Sequence, residues 1–94
     1  MFEMRVREPG TIELSGRLDA SQADEAQAAF RRLDGPLTAD FSDLDYISSA
    51  GISVILETFK RLHGAGQPFR LVNMQPRVRN VFRYAGLDRV LQIE

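Results

Sequence analysis

Cysteine is absent from the 94-residue chain. That excludes disulfides, thiolate nucleophiles and cysteine-ligated metals, and it accords with a reducing compartment. Tryptophan is absent as well, and His63 is the only histidine. One histidine leaves a catalytic triad or a zinc site without visible partners, and near the polar end of a helix it reads as a surface residue. No stretch approaches the roughly 20 apolar residues that span a bilayer. The opening Met1-Phe2-Glu3-Met4-Arg5 lacks the apolar run of a signal peptide. The expectation is a cytoplasmic protein with no membrane insertion.

Charge of either sign is not in excess. Twelve basic residues stand against thirteen acidic ones, so nothing argues for a nucleic-acid partner. The basic set is almost all arginine, with Lys60 the only lysine. No Gly-Xaa-Ser-Xaa-Gly elbow, Walker loop or dinucleotide fingerprint occurs. The expectation is therefore not an enzyme, with no catalytic residues, no cofactor and no metal.

What is present is an ordinary globular composition, 44% apolar and 27% charged, at a length suited to one core. Residues 1–94 are read as a single domain. Phe2 to Arg7 alternates, with Phe2, Met4 and Val6 inward, and Pro9-Gly10 turns the chain into a second alternating run from Thr11 to Leu14. Ser21, followed by Asp24 and Glu25, reads as the start of a first helix. Ala26, Ala29, Phe30 and Leu33 form its apolar stripe, and Asp34-Gly35-Pro36 stops it.

Leu37 to Phe41 reads as a short central strand. In the second helix Ile52, Ile55, Leu56, Phe59 and Leu62 share one face, Glu57, Lys60 and Arg61 another, with Gly64 and Gly66 at its end. Phe69 to Val72 is a strand, and Gln75-Pro76 opens a third helix with Val78, Val81, Phe82 and Ala85 buried. Arg77, Arg79 and Arg83 read as its wet face. Val90 to Ile93 reads as a last short strand. The order predicts an α/β fold: a small mixed sheet with an opening antiparallel hairpin, then parallel β-α units, and helices mainly on one face.

The chain is organised around Asp40 to Ile52, which runs from an apolar strand through an acidic stretch into Ser48-Ser49-Ala50-Gly51. Asp40, Asp43 and Asp45 lack the glycine and distal glutamate of an EF-hand loop, and read as a solvated turn. The serine pair has two compatible uses. One hydroxyl caps the second helix, worth about 1 kcal/mol. A hydroxyl at an exposed strand–helix junction is also reachable by a kinase, at a helix end that favours anions.

At these residues the chain resembles the STAS family, in particular its single-domain bacterial members, the anti-sigma factor antagonists. The resemblance rests on Gly16-Arg17-Leu18-Asp19, on Asp40-Phe41-Ser42-Asp43-Leu44 leading to the serines, on Gly51-Ile52, and on Val78 through Ala85-Gly86-Leu87-Asp88. It implies a protein-binding module of partner switching and transcription regulation. Such a module docks an anti-sigma factor, often a GHKL-type serine kinase, which phosphorylates it at the start of the second helix. A PP2C-type phosphatase reverses the modification. The surface implied comprises Asp19, Asp45, Tyr46, Ser48, Ser49, Ala50, Gly51 and Ser53. The family's acceptor, directly before the glycine, corresponds here to Ala50, which has no hydroxyl. The phosphoacceptor candidates are thus Ser49, then Ser48. The alternative is a STAS subunit of another assembly, such as a lipid-transport ABC system, without phospho-regulation. Neither the pathway nor the oligomeric state is encoded in these motifs.

Overall fold

A computed structural model describes residues 1–94. Strands β1 (Phe2–Glu8) and β2 (Thr11–Leu18) pair antiparallel, as the alternation predicts. They are followed by α1 (Ala23–Arg31), β3 (Leu37–Ile47), α2 (Ser49–Gly64), β4 (Phe69–Val72), α3 (Pro76–Tyr84) and β5 (Gln92–Ile93). The spatial order is β1-β2-β3-β4-β5, with parallel pairing from β2 onward. Each crossover steps to the next strand in the same direction. With right-handed connections this puts all three helices on one face of the sheet.

That face carries the core. Ile12 and Leu14 of β2, Ala39 and Phe41 of β3, and Phe69 and Leu71 of β4 are buried with Ala26, Phe30, Val54, Ile55, Leu62, Val78 and Phe82 of the helices. Two edge-to-face aromatic pairs, Phe30–Phe69 and Phe41–Phe82, tie α1 and α3 to the sheet. Arg61 is not merely part of a wet face. Its guanidinium donates to the carbonyls of Phe30 and Leu33, both at 2.8 Å, and so ties α2 to the C-terminal end of α1 and the turn that follows it.

Four expectations change. First, the acidic turn is strand: β3 runs on through Asp40, Asp43 and Asp45 to Ile47. Between the pairs Glu13–Asp40 and Ser15–Asp43, and again between Gly16–Leu44 and Arg17–Tyr46, β3 advances one residue more than β2. These bulges break the period-two pattern, so Asp40 and Phe41 are consecutive buried residues and Ser42 and Asp43 consecutive exposed ones. Second, β2 continues to Leu18 through Gly16, whose φ of +86° only glycine adopts freely. Third, Ser21 is not a cap. Asp19 caps a 3-10 turn over Ala20–Gln22 that leads into α1. Fourth, Val6 and Ala85 are exposed, Val6 because β1 is an edge strand that α1 covers only in part.

Candidate functional site

The parallel strands deliver their C-terminal ends to the N-terminal ends of the helices, where open α/β sheets commonly place binding surfaces. Leu18 and Ile47 are register partners at the ends of β2 and β3, and the Ser48 N–H donates to the Leu18 carbonyl at 2.9 Å. That bond pins the start of α2 to the end of β2. It sets Asp19, which follows Leu18, beside the serine pair.

Ser48 has extended backbone (φ −93°, ψ 174°), and its Oγ accepts from the Gly51 N–H at 3.2 Å. It is the N-cap of α2. Ser49 is the first helical residue, exposed, and its hydroxyl makes no hydrogen bond within the chain. One turn on, the Ser53 hydroxyl donates to the Ser49 carbonyl at 3.1 Å, a bond made to helix backbone that leaves Ser53 exposed. Ala50 is half-buried. The N–H groups of Ser49 and Ala50 belong to the first turn and have no intrahelical acceptor.

Gly51 is buried for a steric reason. A Cβ there would sit 2.8 Å from both Ile47 Cγ1 and the Leu18 carbonyl oxygen. Glycine thus lets α2 start directly against the strand ends, which fixes where the serines project.

The remaining expected residues lie around this junction. Asp19 Oδ1 accepts from the Ser21 hydroxyl at 2.7 Å and the Ser21 N–H at 3.1 Å. The hydroxyl bond, chiefly, holds the Asp19 carboxyl below the usual carboxylate range, with desolvation opposing and the Ser21 N–H bond and the charge of Arg17 assisting. Tyr46 is half-buried beneath Arg17, whose guanidinium carbon stands 4.2 Å from the ring centroid. Asp45 faces the other way. Its carboxylate accepts from Gln75 Nε2 at 3.3 Å, and the same amide donates to the Ser42 carbonyl at 2.9 Å. The structure therefore gathers Asp19, Tyr46, Ser48, Ser49, Ala50, Gly51 and Ser53 at one junction, and commits Asp45 to a neighbouring contact with the start of α3.

Sequence reasoning missed Gln75 and Arg17. Gln75 was legible only as the residue before a helix-opening proline, and Arg17 stands next to a glycine in what reads as a loop. Asn73 is the third omission. At φ +61° it follows β4, and its side chain helps hold the Asp40 carboxyl below the usual carboxylate range. A positive φ is tolerated by asparagine better than by most residues.

A family model described as Mlab, STAS domain, matches residues 1–92. A Bordetella bronchiseptica protein carrying the name anti-sigma factor antagonist BtrV is 36% identical over 77 residues, covering 82% of this chain and 63% of the relative. The chain thus spans less than two thirds of that relative's length. Among solved structures, an anti-sigma factor antagonist from Mycobacterium paratuberculosis superposes with a TM-score of 0.84 at 21% identity, covering 99% of this chain and 83% of that one. Bacillus SpoIIAA matches at a TM-score of 0.72 in both of its forms. The unphosphorylated form is 23% identical over 100% of this chain and 88% of its own. The phosphorylated form is 20% identical over 100% and 91%. At these identities the solved structures establish a shared fold.

Proposed function

The chain belongs to the STAS domain family, and from that membership we propose that residues 1–94 act as one regulatory domain of the anti-sigma factor antagonist kind, docking an anti-sigma factor through the start of α2. The observation that carries this reading is the division of labour between two serines. Ser48 is committed to capping the helix, whereas Ser49 is exposed with an unbonded hydroxyl. A surface built from Asp19, Tyr46, Ser49 and Ser53 is rigidly based on strand ends and still accessible. The name of the 36%-identical relative supports the same role.

The partner in this reading is a GHKL-type serine kinase that serves as the anti-sigma factor. Phosphate on Ser49 adds about two negative charges. The free first-turn N–H groups stabilise that charge in the unbound domain. In the complex it is desolvated and repelled, so the complex opens. A PP2C-type phosphatase closes the cycle. The setting is cytoplasmic.

Ala50 favours a second reading. It occupies the family's acceptor position without a hydroxyl, which suits a STAS subunit of another assembly, such as a lipid-transport ABC system, with no phosphorylation at all. Mass spectrometry after incubation with ATP and the serine kinase encoded nearest to this chain separates the two. Phosphate on Ser49 supports the switch. No phosphate, together with co-purification of a transporter ATPase, supports the second reading.

A further inference from the structure

The sheet ends at β1 in an uncovered edge. Met1 O accepts from Arg17 N at 2.8 Å, and β1 residues pair with β2 in the register Glu3–Ser15, Met4–Leu14 and Arg5–Glu13. In an antiparallel ladder, alternate residues direct their backbone groups toward the partner strand. Met1, Glu3 and Arg5 therefore face β2, which leaves the N–H and C=O groups of Phe2, Met4 and Val6 directed outward. An edge of this kind is a template for a further strand.

The side chains on that edge are equally unspent. On the helix face, Phe2 and Met4 are only half-buried and Val6 is 62% exposed. Met4 and Val6 border a shallow, mainly apolar groove completed by Ile12, Ala29 and Leu33, with Arg5 and Arg32 at its rim, and Phe2 lies with Met4 against Ala26 and Ala29. On the open face Glu3 and Arg5 are exposed, and neither takes part in any of the chain's ion pairs, whereas the next arginine along, Arg7, is tied to Glu13 and Asp40.

We propose that β1 is a self-pairing edge, at which two copies of this chain join antiparallel with Met4 on the two-fold axis and the two sheets become one. The argument is complementarity. In that register Phe2 of one copy lies opposite Val6 of the other, and Met4 opposite Met4. These are the residues whose outward backbone groups must exchange hydrogen bonds. Glu3 then lies opposite Arg5 of the second copy, twice over by symmetry, in the closely spaced positions where cross-strand charges interact. Like charges along an edge would repel a second copy. Here opposite charges two residues apart attract one, while Val6 becomes covered. The contact is isologous, so it closes at two chains rather than propagating. It uses the opposite end of the strand order from β5 and does not depend on the α2 surface.

The test is sedimentation of the 94-residue chain from micromolar to millimolar concentration. The mass is expected to rise from one chain to two. Val6→Lys is expected to weaken the dimer about tenfold or more, by burying a charge opposite Phe2. Glu3→Arg and Arg5→Glu each put like charges opposite one another and are expected to weaken it comparably. The double variant Glu3→Arg/Arg5→Glu restores opposite pairs and is expected to recover dimerisation. Circular dichroism checks that each variant remains folded. A chain that stays a monomer at every concentration overturns the proposal. So does a dimer indifferent to Val6→Lys, or a double variant no better than the singles.

Discussion

Arg7 on β1 reaches across β2 to Asp40 on β3, its Nη1 3.1 Å from Asp40 Oδ2 and 3.0 Å from Glu13. Asp40 is buried, its side chain only 7% exposed. Burial alone would raise its pKa. The Ser42 N–H at 2.9 Å, the Ser42 hydroxyl, the Asn73 side chain and Arg7 outweigh that and hold the carboxyl below the usual range. One side chain thus links three strands on the open face of the sheet, just before the first bulge.

The folded state therefore releases the Asp40 proton at lower pH than the unfolded chain does. The stability this contributes is complete well above the unfolded value of about 3.9 and is lost as pH falls through the folded-state value. Asp40→Asn is expected to cost about 1–3 kcal/mol at neutral pH, because a charged acceptor of several bonds is replaced by a neutral amide. Urea titrations of both proteins from neutral pH downward check it. The difference should shrink toward pH 3 and below. A gap that stays constant with pH would show that Asp40 acts by shape and not by charge.

Gly51→Ala places a methyl group 2.8 Å from the Leu18 carbonyl oxygen and from Ile47 Cγ1. Both neighbours are held by the sheet, so the helix must shift instead. The expected loss is about 1–3 kcal/mol, read as a lowered thermal midpoint. Gly64→Ala is the control, since nothing lies within 4 Å of its added methyl and it ends the same helix. Equal losses in the two variants would mean that packing at the strand ends is not what requires Gly51.

The two serines are expected to differ in stability effect. Ser48→Ala removes the oxygen that accepts from Gly51 N–H and should destabilise by about 1 kcal/mol. Ser49→Ala removes an exposed hydroxyl without a partner and should be neutral within about 0.5 kcal/mol. Chemical denaturation of the pair measures both. A neutral Ser48→Ala would contradict the cap geometry.

How much of this was legible depends on periodicity. The helix faces of Ala26–Phe30, Ile52–Ile55 and Val78–Phe82 follow three- and four-residue spacing, and the hairpin follows period two around Pro9-Gly10, so these elements were legible even though Val6 and Ala85 turn out exposed. The long β3 was not legible. Its two bulges scramble the alternation, and its aspartates are types that strands generally avoid. The same cause hid part of the site. With Asp40 to Asp45 read as a turn, nothing in the sequence placed Asn73 and Gln75, some thirty residues on, beside them. The serine junction was legible because a cap needs only neighbouring residues, whereas Arg17 over Tyr46 depends on a register between strands.

Ser49 offers the sharpest functional test, because charge can be added there without disturbing the cap. Ser49→Asp and Ser49→Glu are expected to leave the thermal midpoint nearly unchanged, acids in a first helical turn being slightly favourable. Binding to a kinase-type anti-sigma partner should nevertheless fall about tenfold or more, a difference of about 1.4 kcal/mol from a charge desolvated in the interface. Titration calorimetry against the purified partner measures it. Ala50→Ser adds a discriminating arm, since it restores a hydroxyl at the family's acceptor position while Ser49 remains. If the kinase then modifies residue 50 and spares Ser49, position before the glycine governs acceptance, and the native chain is not switched at this helix. If Ser49 is modified in both proteins, exposure at the first helical residue governs it. If both acidic variants bind as the native chain does, phospho-control through Ser49 is excluded, and the binding surface itself becomes the object to map by substituting Asp19 and Tyr46.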